Sequence, residues 1–411
     1  MATYTELDTN LTSEEISLKE EVHRFAADVL RPASVELDRM TAEQVIAEGS
    51  PLWDTFRHGY ELGYHSRGLS PELGGVALSP KASHIFAEEM GWGSSDFAIA
   101  FGVTSFPFSF AAMGGNSDIL EEVVKPYAED REGKYVGCWA ITEPDHGSDA
   151  VFVGNEELKS PETTFDVQAV ADGDEWVISG QKSAWVSNGT IATHALAFLT
   201  VDQTQGMAGG GVALIPLDLP GVTKGKPLEK LGQRALNQGE IFLDQVRIPK
   251  KYMLVEPSAY PFLIDTVLSG ANAGMGATFT GLARAAFEET LNYARERVQG
   301  GKAICEHQAI QLKLMDMFIK VETARAISRN AMDYNSKTMP PKLQYSVASK
   351  VYCTEAAYEV AHAGVQVFGG LGLTKETLIE KLFRDARASL IEDGTNEVLS
   401  LAGARKIIDT Y

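Results

Sequence analysis

Val167-Gln168-Ala169-Val170-Ala171-Asp172-Gly173-Asp174-Glu175-Trp176-Val177-Ile178-Ser179 reads as two strands joined at an Asp-Gly turn. β-branched and aromatic residues suit both runs, and Asp-Gly tolerates the left-handed backbone of a tight reversal. Similar runs follow at 194–200, 212–216 and 240–243, punctuated by Asn188-Gly189 and Gly209-Gly210-Gly211. Together they predict a β domain in the middle of the chain.

Outward from this stretch the texture becomes helical. Thr12-Ser13-Glu14-Glu15 forms a capping box, and Leu18, Val22, Phe25 and Val29 recur at helical spacing, a run expected to stop at Arg31-Pro32. A second helix is expected after Ser79-Pro80, followed by an aromatic stretch with Phe97, Phe101, Phe106, Phe108 and Phe110. Beyond the strands the helical period returns at Leu282, Ala286 and Leu291, then at Ile310, Leu314, Met317 and Val321. Pro340-Pro341 divides two long helices, and Phe368-Gly369-Gly370-Leu371-Gly372-Leu373 marks a loop before the last ones. The order predicts an α+β protein: an N-terminal all-α domain over 1–136, a central β-barrel or sandwich domain over 137–249 and a C-terminal helical domain over 250–411.

With 411 residues, 44% of them apolar, the chain can bury a large core. A net charge of −20, from 56 acidic and 36 basic residues, argues against nucleic acid or an anionic membrane as partner. No run of about 18 apolar residues suggests a membrane span. The acidic, polar residues 1–15 do not read as a secretory signal. Cys138, Cys305 and Cys353 are sparse, match no metal-binding pattern and suit a reducing compartment, so a cytoplasmic protein without a metal centre is expected.

Three further segments suggest chemistry. Thr142-Glu143-Pro144-Asp145-His146-Gly147-Ser148-Asp149 is a Pro/Gly turn able to present N–H groups and hydroxyls to a ligand, although an ordinary turn explains it as well. Gly180-Gln181-Lys182 and Trp185-Val186-Ser187-Asn188-Gly189 set an indole beside a hydroxyl, which suits the edge of a planar ring; a lone Trp is more often a core residue. Arg297-Val298-Gln299-Gly300-Gly301-Lys302, before Glu306-His307-Gln308, suits a pyrophosphate, with a solvated helical corner as the plainer reading. No Walker loop and no GxGxxG occurs.

With Ile391-Glu392-Asp393-Gly394-Thr395-Asn396-Glu397, these segments resemble the acyl-CoA dehydrogenase superfamily in content and order: TEPxxGSD, GxKxxWxSNG, Arg-x-Gln-x-Gly with His-Gln, and GGxG, RDA and Gly-Thr. The resemblance runs from the first helices to Arg405. It implies a C-terminal four-helix bundle, FAD between that bundle and the β domain, and a homotetramer (a dimer of dimers) in which one subunit completes its neighbour's flavin site. Trp139, Ile141 and Thr142 would line the flavin, Ser148 would touch flavin and substrate, and Trp185 and Ser187 would pack on and hydrogen-bond the ring. Arg297 and Gln299 of a partner, near Gln366 and Gly370, would bind the diphosphate, while Thr395 and Glu397 would reach the adenosine half. Substrate would meet Ser148, Asn272, Glu392 and Gly394, and Asp393 would be the base.

The chain departs from the family where the chemistry lies. Register counted from Arg384-Asp385-Ala386 puts Asp393, not Glu392, where the family usually has a glutamate base. Aspartate is one methylene shorter, and a misplacement of ~1 Å can lower a rate on the order of 10²-fold. Asp393 could alternatively cap a helix. Asn272 replaces a common arginine, Glu392 an aromatic and Gly300 a phenylalanine, and one residue is added between Lys182 and Trp185.

The resemblance implies an FAD-dependent acyl-CoA dehydrogenase that oxidises a short, branched or cyclic acyl-CoA to the 2,3-enoyl-CoA. Asp393 would take the α-proton and flavin N5 the hydride, with electron-transfer flavoprotein or oxygen as acceptor. Two other readings stay open. Nitroalkane oxidases share the fold and an aspartate base, and a lyase could use the same proton abstraction without net redox change. Asp96 reads as a solvated helix end rather than a second active-site carboxylate.

Overall fold

The computed structural model describes Leu7, residues 10–152 and residues 156–411; the rest of the polar N-terminal stretch before Asn10 lies outside them. Thr12 and Glu15 cap the Ser13–Phe25 helix reciprocally, as the capping box predicts. Arg31-Pro32 does not end it. Ala26–Leu30 widens into a π-turn in which Arg31 N–H reaches Ala26 O, and helix resumes as Arg31–Leu37. Proline lacks an N–H and its ring crowds the preceding turn, so a widened turn carries the helix past it. The same device recurs at Leu120–Val124, just before Lys125-Pro126.

Ser79 caps the Pro80–Gly93 helix, with Pro80 in its first turn. This helix crosses Tyr260–Glu296 closely enough that only glycine fits: a Cβ on Gly91 would meet Thr278 O at 2.0 Å, and one on Gly281 would meet Glu88 O at 2.0 Å. A buried ion cluster locks the crossing. Arg284 pairs with Glu88 at 2.8 Å and with Glu89 at 2.5 Å, and Arg325 pairs with Glu88 and Glu322.

The aromatic stretch forms two helices, Ser95–Thr104 and Phe106–Met113. Taken together, Ser95–Met113 is long and apolar enough by length and composition to cross a membrane, which corrects the expectation that no such run exists. In the fold the stretch breaks at Ser105 and buries Phe97, Phe101 and Phe108 in the core, leaving Phe106 and Phe110 half-buried beside the sheet.

Strands β1 (Gly137–Ala140), β2 (Gln168–Asp172), β3 (Glu175–Lys182), β4 (His194–Thr200), β5 (Gly210–Pro216), β6 (Val222–Lys224), β7 (Ile241–Pro249) and β8 (Met253–Val255) form one mixed sheet. Its order is β6-β7-β3-β2-β4-β5-β8, with β1 beside β4. The Asp172-Gly173 turn closes the expected antiparallel β2–β3 hairpin. Strand β4 pairs antiparallel with β5 and parallel with β1 and the start of β2. It is buried at every position after His194, which is why it reads as an unbroken apolar run.

The C-terminal region packs Tyr260–Glu296, Gln308–Ser336, Leu343–Phe368, Leu378–Ser389 and Asn396–Thr410. Pro340-Pro341 separates the second from the third of these, and the glycine-rich turn Gly369–Leu373 follows the third.

Candidate active site

The site begins with a buried ion pair that joins two of the sequence motifs. Lys182 Nζ, at the end of β3, lies 2.5 Å from Glu143 Oε1 and 3.0 Å from Ile141 O. Glu143 also accepts from the backbone N–H groups of Asp166 and Val167. Burial pushes the Lys182 ammonium down to about 8 against the pull of Glu143. Ser183 N–H then donates to Thr142 O at 2.9 Å, and Ser187 bridges to both Trp139 and Gln238. Trp139, Thr142 and Ser187 therefore share one edge of the sheet, with Ile141 buried between Trp139 and Thr142.

Trp185 stands at this edge with 57% of its surface uncovered, unusual for an indole whose neighbour Val186 is fully packed. Phe106 meets Trp139 edge-on at 4.9 Å. An uncovered indole beside half-buried hydroxyls fits the face and rim of a flavin ring.

Arg297 and Gln299 lie elsewhere. They belong to a small exposed hairpin, Val298–Gln299 paired with Lys302–Ala303, turned by Gly300 (φ 65) and Gly301 (φ 84). Two successive left-handed residues explain why glycine, rather than a bulky side chain, stands at Gly300. Ala294 and Ile304 pack on Val367, and Tyr293 stacks on Phe368 at 4.0 Å, so the exposed Gln366 and Gly370 share this end of the helical domain. Among the described residues, no hydrogen bond or ion pair joins this hairpin to the Trp139–Ser187 edge.

The third part is the turn after Leu378–Ser389. Asp393 (φ 52) and Gly394 (φ 93) both take left-handed backbone, which aspartate and glycine tolerate better than most residues. Two side chains, Ser148 and Lys350, hold this turn through three hydrogen bonds. Ser148 Oγ accepts from Thr395 N–H at 3.0 Å, bringing the TEPxxGSD motif to the C-terminal one. Lys350 Nζ donates to Gly394 O at 2.9 Å and to Asn396 Oδ1 at 2.7 Å. Thr395, not Asp393, caps the last helix by accepting from Val398 N–H, so the capping role is taken.

No hydrogen bond occupies the Asp393 carboxylate among the described residues. One side of Asp393 is open to solvent while the remaining sides are crowded by protein. That crowding raises its carboxyl above the ordinary aspartate range, and Lys350 pulls the other way. The buried Lys350 is itself pushed down to about 8. Glu392 accepts from Gln233 Nε2 at 3.1 Å, and burial raises it to about 7. Glu397 is exposed on the first turn of the last helix.

One sequence expectation changes here. Asp96 is not solvated: it is fully buried, 3.3 Å from Lys381, and accepts from Ser34 and from Ala235 N–H. With Asp385, which receives Gln233 N–H, it forms a polar seam from the N-terminal helices to the Glu392 turn. A lone carboxylate near a helix start gives no sequence sign of partners so distant in the chain. Asn272 is fully buried and, among the described residues, both ends of its amide lack a partner, with no bond to Ser148 or Asp393.

Sequence reading missed Lys350, Gln233 and the Glu143–Lys182 pair. Lys350 did leave a trace: it falls on the buried helical stripe of Val347, Thr354, Ala357 and Ala361, where a lone cation requires an acceptor.

Family models for the N-terminal, middle and C-terminal domains of acyl-CoA dehydrogenase match residues 12–132, 138–246 and 263–408. The mitochondrial short-chain specific acyl-CoA dehydrogenase of Bos taurus is 31% identical over 399 residues, 96% of this chain and 90% of that one. Cyclohexane-1-carbonyl-CoA dehydrogenase of Geobacter metallireducens is 34% identical over 403 residues, 97% of this chain and 98% of that one. In fold, butyryl-CoA dehydrogenase from Megasphaera elsdenii superposes with a TM-score of 0.84 at 24% identity, over 98% of this chain and all of that one. Helices, mixed sheet and site together define a flavin-dependent oxidoreductase. The chain belongs to the acyl-CoA dehydrogenase family.

Proposed function

We propose that this chain is a homotetrameric, FAD-dependent acyl-CoA dehydrogenase that converts a short, branched or cyclic acyl-CoA to its 2,3-enoyl-CoA, with Asp393 removing the α-proton. The observation that carries this reading is Asp393 itself. Its carboxylate has no hydrogen-bond partner among the described residues, sits in left-handed backbone and is held between the Ser148–Thr395 and Lys350–Gly394 bonds. A raised, unengaged carboxylate is suited to general-base work.

FAD, when bound, supplies the hydride acceptor. Trp139, Ile141, Thr142, Trp185 and Ser187 would hold its ring. Ser148, whose oxygen already accepts from Thr395, keeps its own O–H to offer. Arg297 and Gln299, with Gln366 and Gly370, would hold the diphosphate of a partner subunit's FAD, and Thr395 and Glu397 would meet the adenosine half. Their separation from the Trp139–Ser187 edge within one chain supports a site shared between subunits. So does the stripe Leu312, Met315 and Ile319 on Gln308–Ser336, each at least half uncovered.

The names of the two sequence relatives support a short or cyclic acyl group. The half-buried Phe106 and Phe110 would shape its pocket, with Glu392, Gly394 and Asn272 toward the substrate. Electron-transfer flavoprotein is the proposed acceptor, and composition supports a cytoplasmic setting.

Anaerobic bleaching of the purified yellow protein by butyryl-, isobutyryl- and cyclohexanecarbonyl-CoA tests the reading. Bleaching by any of them supports it. Silence toward all acyl-CoAs, with oxygen uptake on nitroethane, would make the chain an oxidase. Product formation without bleaching would make it a lyase.

A further inference from the structure

Gln238 is a buried residue whose amide is engaged at both ends beside the Trp139–Ser187 edge. Its backbone pairs with that of Ser187 in an antiparallel bridge. Its Nε2 donates to Ser187 Oγ at 3.2 Å and to Trp185 O at 3.4 Å. Lys230 Nζ donates to Gln238 Oε1 at 3.0 Å and to Leu236 O at 2.6 Å. One side chain therefore touches two of the residues read as holding the ring, and is itself held by a cation.

The Lys230 contact decides which way the amide points. An ammonium has protons to give and no lone pair to accept with, so the Gln238 atom facing it is the oxygen. The atom facing Ser187 is then the nitrogen. Burial pushes Lys230 down to about 8, against the pull of Glu392, Asp96 and Asp385, which leaves it charged at neutral pH. Ser187 Oγ accepts from the amide, and its own proton has no acceptor among the described residues. Ser187 is half-buried rather than closed off, so that proton is free to meet a ligand.

We propose that Gln238 is a positioning residue for the flavin, committing the Ser187 hydroxyl to donate its proton to an acceptor on the ring's rim. A free serine hydroxyl rotates between donating and accepting, whereas a locked one offers a ligand a single geometry. The inference rests on the reading that Ser187 meets the ring, and places Gln238, oriented by Lys230, behind that contact. The motif around Ser187 carries no sign of it, because Gln238 lies 51 residues further along the chain.

The test reads the flavin rather than turnover. In the purified holoenzyme, Ser187→Ala is expected to shift the visible band and to change the two-electron equilibrium roughly tenfold, about 30 mV in midpoint potential. Gln238→Leu is expected to shift both in the same direction by a smaller amount, and to add nothing in Ser187→Ala protein. Gln238→Glu keeps the Lys230 contact but can only accept, so it turns the Ser187 proton inward and reproduces the Ser187→Ala band. That variant answers the question if the leucine one misfolds. A Gln238→Leu shift that persists undiminished without Ser187 would overturn the role of Gln238 alone. So would Gln238 variants that leave the flavin unmoved while Ser187→Ala moves it. An unmoved flavin in Ser187→Ala would overturn the placement of Ser187 on the ring, and a protein that binds no flavin the cofactor reading itself, each taking this inference with it.

Discussion

Lys350 Nζ lies 2.9 Å from Gly394 O and 2.7 Å from Asn396 Oδ1, so one buried ammonium clamps the turn that carries Asp393. The same charge draws the Asp393 carboxyl down against the desolvation that raises it. Geometry and acidity of the proposed base therefore depend on one side chain from a different helix.

Lys350→Met is expected to lower turnover roughly tenfold or more, because the turn is released by a fraction of an ångström. It also removes the charge that lowers Asp393, so the acid limb of the kcat/KM profile moves to higher pH. A variant that lost rate with its pH profile unmoved would show Lys350 to be a clamp alone.

Glu392 gives stability a pH dependence. Its folded value of about 7 exceeds its ordinary 4.5, so between these pH values the folded state holds a proton that the unfolded state has lost. Stability therefore falls as pH rises through that window, by ~3 kcal/mol when integrated. Glu392→Gln keeps an acceptor for Gln233 and should flatten the curve of urea midpoint between pH 4.5 and 7. An unchanged slope would place the titration elsewhere.

Arg284→Met leaves Glu88 and Glu89 short of their shared buried cation. Loss of about 3–5 kcal/mol of stability is expected, seen as a lower denaturant midpoint. The Arg284 cluster lies between Pro80–Gly93 and Tyr260–Glu296, with no bond to Asp393, so the bleaching rate of the folded fraction should hold.

Much of this fold was readable in the sequence, because its strands and helices carry strong periodic signals. Strands β2, β3, β4, β5 and β7 fall where β-branched runs and Gly turns put them. The brief β6 and β8 give no period to read, and the π-turns before Pro32 and Pro126 look like helix ends because proline is their only local sign. Within the site, local motifs held Thr142, Ser148 and Ser187 and the family resemblance added Trp139, and the structure brings these into two bonded clusters. Partners that meet only through tertiary packing were not readable. Gln233 reaches Glu392 across 159 residues and Lys381 reaches Asp96 across 285, distances over which no spacing rule operates.

The account turns on Asp393 as the α-proton base, and single-turnover bleaching by butyryl-CoA in Asp393→Asn tests that most directly. Asparagine keeps the size of the side chain but cannot take a proton, so the bleaching rate should fall by about 10²- to 10⁴-fold while the yellow, flavin-loaded protein is recovered as before. Bleaching at the unmutated rate would contradict the account and leave another group to take the proton.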